Sequence, residues 1–104
     1  MARYMWVLEV RPGYEDEYKR RHDAIWPEML ETLRAAGTRN YSIFRHGLLL
    51  LGYLETDDLA RMLNVLRESE VNRRWAEWMA PIMKIDIDPQ TGFPFLLPLQ
   101  WHMD

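Results

Sequence analysis

The sequence predicts an α+β fold in which helices pack on one face of an antiparallel sheet. Aromatic or β-branched runs bounded by turn residues alternate with segments of helical periodicity. Their order is strand, helix, strand, strand, helix, strand, which is the ferredoxin-like βαββαβ plan. A chain of 104 residues suits one domain, since two would each bury too small a core. We therefore expect a single α+β domain over residues 1–104.

The first strand and the first helix are expected before residue 27. Arg3–Val10 is aromatic and β-branched, and the Arg-Pro-Gly sequence behind it is typical of a turn. A helical segment follows from Tyr14. Pro27 cannot donate a helical hydrogen bond and disfavours helical geometry at Trp26. These two residues therefore predict a break in the helix.

A second helical segment and a pair of strands come next. Pro27–Ala36 has apolar residues at helical spacing and ends before Gly37, a suitable C-terminal cap. Thr38–Arg45 has the composition of a strand, and a His-Gly pair then marks a tight turn. Leu48–Glu55 returns as the next strand. Its run of leucines indicates burial on both faces.

The last third of the chain predicts helix and then an irregular tail. Thr56-Asp57-Asp58 is a suitable helix start, because short polar side chains cap exposed amides. Apolar residues follow at positions i, i+3, i+4 and i+7: Leu59, Met62, Leu63 and Leu66. Ser69–Met79 predicts another helical piece. Prolines interrupt the tail, within which Phe95–Trp101 is predicted as the last strand.

The face of the sheet away from the helices needs a cover. A short chain with apolar strands cannot leave that face in water. The simplest cover is a second copy of the chain, with the two sheets packed face to face. The sequence therefore predicts a homodimer.

Composition excludes several classes of function. The formal net charge of -3 and the pI near 5.6 give no electrostatic basis for binding nucleic acid or an anionic membrane. The chain has no cysteine, which excludes thiol catalysis and suits a reducing compartment. No apolar run approaches the ~20 residues of a membrane span, and no signal peptide is evident. We expect a cytoplasmic protein that partners neither nucleic acid nor membrane.

The most informative motif is the segment 17–28, which reads EYKRRHDAIWPE. Residues four apart share a helix face, so Tyr18, His22 and Trp26 would form a column of phenol, imidazole and indole. The imidazole exchanges protons near neutral pH, and the phenol can donate or accept a hydrogen bond. Such a column suits proton transfer on a small hydroxylated ligand. From spacing alone it is equally consistent with a packed core.

Other catalytic motifs are absent from the sequence. The three histidines lack metal-ligand spacing, and His46 and His102 are expected at the surface. No serine-nucleophile motif, phosphate-binding loop or dinucleotide-binding loop is present, so cofactor chemistry is disfavoured and no metal is expected. Carboxylates are too scattered to pair: Glu28, Glu55, Glu77, Asp86 and Asp88. Proton transfer on a ligand held against aromatic side chains remains the best chemical interpretation.

The chain resembles the L-rhamnose mutarotases. Three blocks carry the resemblance: Tyr18 to Glu28, then Gly37 with Asn40-Tyr41-Ser42-Ile43, and then Arg74-Trp75 before Met79. Their spacing is kept, and the resemblance covers roughly residues 3–83. The first block is specific enough that we do not expect it by chance.

The resemblance implies a dimeric α+β barrel that interconverts the α and β anomers of a free monosaccharide without a cofactor. It implies His22 as the proton donor, or general acid. It also implies that Tyr18, Tyr41 and Trp75 bind the sugar. Trp26 is predicted to pack instead, because Pro27 turns it off the helix face that Tyr18 and His22 share.

Two departures from the family pattern leave alternatives open. Ala76 stands where the family has a second tryptophan, which suggests a wider pocket, and residues 85–104 match poorly. The sugar could therefore be another 6-deoxy hexose such as L-fucose, or a different aldose. The fold also permits a cofactorless monooxygenase acting on an aromatic substrate, or a sugar-binding module without catalysis.

Overall fold

The computed structural model describes all 104 residues as a four-stranded antiparallel sheet with helices on one face, followed by an irregular tail. The first elements are strand β1 (Ala2–Val10), helices α1 (Glu15–Asp23) and α2 (Pro27–Ala35), and strands β2 (Arg39–His46) and β3 (Leu49–Thr56). Helices α3 (Leu59–Glu68) and α4 (Glu70–Met79), a 3₁₀ turn (Ala80–Ile82) and strands β4 (Met83–Lys84), β5 (Ile87–Asp88) and β6 (Phe93–Pro94) follow.

The strand order β2-β3-β1-β4 confirms the predicted ferredoxin-like plan. β1 pairs antiparallel with β3 in the centre, with Trp6 opposite Gly52 and Leu8 opposite Leu50. Alternation along β3 is strict: its even-numbered residues from Leu50 to Thr56 are buried, and its odd-numbered residues are not. The even face therefore meets the helices and carries the core. The expected burial of β3 on both faces is wrong for this single chain.

Both helical connections are divided in two, as the sequence predicts. α1 ends at Asp23, and α2 begins at Pro27 with Trp26 as its N-cap residue. α3 and α4 meet at Ser69, whose hydroxyl accepts a hydrogen bond from the Asn72 amide at 3.1 Å. The start of α3 is capped by Asp58, which accepts from an amide in the first turn. Four short helices thus replace two longer ones and follow the curve of the sheet.

The expected last strand over Phe95–Trp101 is wrong. The fourth strand of the sheet is β4, which pairs with β1 at Glu9 and Val10. Farther along the same edge of β1, Leu96 makes an isolated bridge to Trp6 and the Leu97 amide donates to the Met5 carbonyl at 2.7 Å. Two separated pieces of the tail therefore cover one edge, because the β5–β6 hairpin carries the chain away between them.

The outer face of the sheet lacks helices and is rich in apolar side chains. Register places Met5 opposite Tyr53, Val7 opposite Leu51, and Phe44 opposite Leu51 on this face. Phe44 is 64% exposed. The tail adds exposed apolar residues at alternating positions: Leu97, Leu99, Trp101 and Met103. No helix in the structure is long and apolar enough to span a bilayer.

Candidate active site

A cavity of about 750 Å³ lies between the inner face of the sheet and the helices. Most of its lining is apolar, and the C-terminal tail closes part of it through residues of β5 and β6. All four residues predicted to act on a sugar line this cavity: Tyr18, His22, Tyr41 and Trp75. They come from α1, β2 and α4, so the fold brings together side chains that are far apart in sequence. Ala76 also faces the cavity.

Helix α1 presents Tyr18 and His22 together. Acidic residues in its first turn and basic residues in its last turn complement the helix dipole. Tyr18 is its only buried residue, and its ring stacks on the His22 ring with centroids 4.3 Å apart. The helix is tied to α4 by Arg21, which donates to the Trp78 carbonyl at 2.7 Å and lies over the Trp78 ring. The stacking on Tyr18 and the contact of Arg21 with α4 together fix the position of the imidazole.

The imidazole of His22 has one nitrogen bound and one free. Its Nδ1 lies 3.2 Å from the Tyr18 carbonyl oxygen, and that acceptor requires the proton on Nδ1. Nε2 has no hydrogen-bond partner in the protein, so it is the atom left to exchange a proton. Burial lowers the pKa of His22, although the Tyr18 carbonyl and the nearby Asp23 carboxylate oppose this effect. Once protonated, such an imidazole is a stronger acid than an exposed one.

Trp75 forms a wall of the cavity and is backed by two further indoles. Its ring meets the His22 ring edge-on at 5.3 Å, and it meets the Trp26 and Trp78 rings at 5.1 and 5.4 Å. Trp26 and Trp78 stack on each other at 5.5 Å, and neither lines the cavity. Trp26 therefore lies in the packing behind Trp75, as predicted. Edge-to-face contacts of this kind fix ring orientation as well as burying area.

A β-bulge turns Tyr41 into the cavity. The pairing of β2 with β3 shifts register between Arg39 and Ser42, and Asn40 adopts φ +47°. Asparagine tolerates this left-handed geometry better than most residues, and its side chain donates to Glu55 at 2.8 Å. The Tyr41 hydroxyl in turn accepts a hydrogen bond from Trp6 Nε1 at 3.0 Å.

Both cavity tyrosines remain neutral phenols over the working pH range. Burial raises the pKa of Tyr18, and the neighbouring Tyr41 raises it further. Burial also raises the pKa of Tyr41, with a smaller opposing effect from the Trp6 hydrogen bond. A neutral phenol can donate one hydrogen bond and accept others. The tyrosines are therefore equipped to bind hydroxyl groups rather than to act as phenolate bases.

The remaining histidines and acidic candidates lie elsewhere. His46 is exposed at the end of β2, and the exposed His102 contacts Arg3 at 2.6 Å and Asp104 at 2.8 Å. None of the scattered carboxylates that we considered lines the cavity. The two carboxylates that do are Glu15 and Asp23, and Asp23 is paired with Lys19 at 2.8 Å. The structure has no group of three or more metal-ligating side chains.

Sequence reasoning missed several residues of the cavity. Trp6 lies on the inner face of β1 and contacts Tyr41, Asn72 faces the cavity from α4, and Phe93 reaches it from the tail. The even-numbered alternation of β1 would have put Trp6 on the inner face. Nothing in the sequence of the tail would have placed Phe93, because its position follows from a two-strand hairpin without periodicity.

The chain matches known proteins over nearly its full length. A family model described as L-rhamnose mutarotase matches residues 3–97. An L-rhamnose mutarotase of Listeria monocytogenes serotype 4b is 44% identical over 86 residues, covering 81% of this chain and 82% of the relative. One from Oceanobacillus iheyensis is 38% identical and covers 100% of both chains.

Solved structures agree on the fold. The crystal structure of an L-rhamnose mutarotase from Formosa agariphila superposes with a TM-score of 0.78 at 27% identity, with 100% of both chains covered. Tetracenomycin F2 cyclase from Streptomyces glaucescens superposes with a TM-score of 0.64 at 17% identity. The second match extends to the fold alone, since one barrel architecture serves unrelated chemistry.

Proposed function

Because the chain belongs to the L-rhamnose mutarotase family, we propose that it interconverts the α and β anomers of L-rhamnose without a cofactor. His22 acts as the general acid. Tyr18 and Tyr41 bind sugar hydroxyls, and Trp75 lies against the apolar face and the methyl group of the sugar. Residues 1–104 form the single domain that carries this activity.

One observation supports these roles most directly. His22 is the only histidine of α1 and lines the cavity; its Nε2 atom has no protein partner, whereas its Nδ1 atom is hydrogen-bonded to the Tyr18 carbonyl. Two neutral phenols and one indole line the same space. A proton donor, hydroxyl-binding groups and an apolar wall are the parts that anomer exchange on a 6-deoxy sugar requires.

The reaction proceeds by opening and closing of the pyranose ring. The protonated His22 donates its Nε2 proton to the ring oxygen O5 while water takes the proton of the anomeric hydroxyl. The C1–O5 bond breaks, leaving an open-chain aldehyde and a neutral imidazole. After rotation about C1–C2, the O5 hydroxyl adds to the other face of C1 and returns its proton to Nε2, and the carbonyl oxygen takes a proton from water. Such acid catalysis is typically worth about 10²–10⁴-fold in rate.

The test is the rate of anomer exchange of L-rhamnose, measured by saturation-transfer NMR with and without the protein. His22→Ala should abolish the catalysed exchange and leave the fold intact. His46→Ala is the matched control, since His46 is exposed and outside the cavity. Unchanged exchange in the His22 variant would show that another group supplies the proton.

The same NMR experiment separates the alternatives. A titration with L-rhamnose, L-fucose and a plain aldose ranks the sugars, and a preference for another sugar would revise the substrate. Binding without acceleration would indicate a sugar-binding module. Oxygen uptake with a quinol would support a monooxygenase instead. Because the small Ala76 side chain leaves the cavity wider, the protein could accept several of these sugars. Ala76→Trp should narrow the cavity and so reduce the number of sugars that bind.

We also propose that the protein is a cytoplasmic homodimer, with the outer faces of two sheets packed against each other. The exposed Phe44, the apolar rows of β1 and β3, and the alternating apolar residues of the tail support this arrangement. The tail joins this face at Leu97, because Leu96 bridges Trp6 and the Leu97 amide donates to the Met5 carbonyl. The tail thus widens the apolar surface.

Sedimentation velocity at micromolar concentration tests the dimer. Leu49→Asp puts a charge on the outer face at a residue that is 39% exposed and should yield monomers. Tyr14→Asp is the matched control, because Tyr14 is similarly exposed, at 44%, and is the N-cap residue of α1 rather than a residue of the sheet. A wild-type protein that sediments as a stable monomer would contradict the proposal. Cell fractionation tests the location.

A further inference from the structure

We propose that Trp6 is a positioning residue: its indole N–H holds the Tyr41 hydroxyl so that the Tyr41 proton points to the bound sugar. This inference rests on the proposed function, in which Tyr41 binds the sugar. It assigns a role to a residue of β1 that lies outside the three sequence blocks on which the resemblance rests.

In the Trp6–Tyr41 pair, the Tyr41 oxygen is a hydrogen-bond acceptor. Trp6 Nε1 donates to that oxygen at 3.0 Å, with the two rings nearly perpendicular at 84°. An indole N–H can only donate, so the Tyr41 oxygen must accept. The hydroxyl proton of Tyr41 then has no acceptor within the protein and remains available in the cavity that both residues line. Accepting one hydrogen bond also strengthens the next one that a hydroxyl donates.

The donor itself is rigidly held. Trp6 is 3% exposed and lies flat on β3 at Gly52, its cross-strand partner. A Cβ atom at residue 52 would come within 2.0 Å of Trp6 Cε2 and 2.3 Å of Nε1, so glycine alone admits this indole position. On the acceptor side, the bulge and the Asn40–Glu55 hydrogen bond fix the backbone of Tyr41. Neither ring can move far without breaking these contacts.

A double-mutant cycle on L-rhamnose binding and exchange tests the proposal. Trp6→Phe keeps an aromatic ring but removes the N–H, and it should raise the Kd for L-rhamnose about 3- to 10-fold, the range for one hydrogen bond. Tyr41→Phe should raise the Kd at least as much. In the Tyr41→Phe background, Trp6→Phe should change the Kd less than about 2-fold. The pH dependence of kcat, which reports on His22, should keep its position in all three variants.

Met62→Leu is the control for altered core packing, since Met62 is fully buried and does not line the cavity. It should change the melting temperature without changing the Kd. If Trp6→Phe weakens binding equally with and without the Tyr41 hydroxyl, Trp6 acts through packing and the proposal is wrong. If Tyr41→Phe leaves the Kd unchanged, the proposal also fails. Failure of the proposed function has a different signature, because the wild-type protein would then not accelerate anomer exchange.

Discussion

Gly52→Ala is expected to be one of the most damaging single-methyl additions in the chain. Gly52 has ordinary extended backbone in the central strand β3, so alanine meets no conformational obstacle there. The obstacle is steric. The added Cβ would lie 2.0, 2.3 and 2.3 Å from the Cε2, Cζ2 and Nε1 atoms of Trp6. Ordinary carbon contacts begin near 3.5 Å, so the indole must move by more than an ångström.

The energetic consequence has three parts. Overpacking in a closely packed core costs about 1–3 kcal/mol, and a displaced indole loses the 3.0 Å hydrogen bond to Tyr41, worth about 0.5–1.5 kcal/mol. Alanine recovers about 0.5–1 kcal/mol because it loses less backbone entropy than glycine. The net decrease in the free energy of unfolding should be about 0.5–4 kcal/mol, with a central value of about 2 kcal/mol. That is a large fraction of the 5–15 kcal/mol typical of a domain.

Urea unfolding followed by circular dichroism measures this change. The midpoint should fall without a change in slope, since the native fold persists. In a Trp6→Phe background, the same glycine substitution should cost less, because the smaller phenyl ring has no atoms at the positions of Nε1 and Cζ2, two of the three atoms that clash. A Gly52→Ala variant within 0.5 kcal/mol of wild type would refute the steric argument. An equal cost in both backgrounds would refute the assignment of the clash to Trp6.

Three further predictions concern groups around the site and the helix ends. Burial lowers the pKa of His22 in the folded chain, whereas the same residue in the unfolded chain is protonated near pH 6.5. Stability should therefore fall as the pH drops below about 6.5, by no more than about 1.4 kcal/mol per pH unit. His22→Gln should flatten this slope in urea titrations repeated at several pH values. Asp58→Ala and Ser69→Ala each remove a cap and should each lower stability by about 1 kcal/mol in thermal melts; a change below 0.3 kcal/mol would contradict the role of that cap. Trp26→Leu should lower the melting temperature but leave the Kd for L-rhamnose within 2-fold, because Trp26 backs the cavity wall without lining the cavity; calorimetry checks both.

Local signals in the sequence account for most of the fold. The Trp26–Pro27 break, the division at Ser69 and the β2–β3 hairpin each depend on neighbouring residues, and each is found in the structure. The end of the sheet does not depend on such signals. A two-residue strand at Met83 has no periodicity, and its pairing is set by the free edge of β1. The apolar run around Leu96 has the composition of a strand and so predicts the fourth strand there, whereas the fourth strand is β4.

The candidate site divides in a similar way. His22 and Tyr18 share a helix turn, so spacing alone brings them together, and their stacking follows. Tyr41 and Trp75 were placed by resemblance to a family, since nothing local links a bulged edge strand to α4. Trp6 was missed because its contribution depends on the absence of a side chain at residue 52, a pairing that exists only once β1 lies beside β3.

The bulge at Asn40 has a consequence for solubility. β2 is the edge strand of the sheet, and an unpaired edge can recruit strands from other molecules and start aggregation. The register shift between Arg39 and Ser42 interrupts the regular ladder on this edge, and arginines at residues 39 and 45 add charge on either side. An incoming strand would find few consecutive hydrogen-bonding positions. The irregularity that turns Tyr41 into the cavity therefore also protects the protein against edge-to-edge polymerisation.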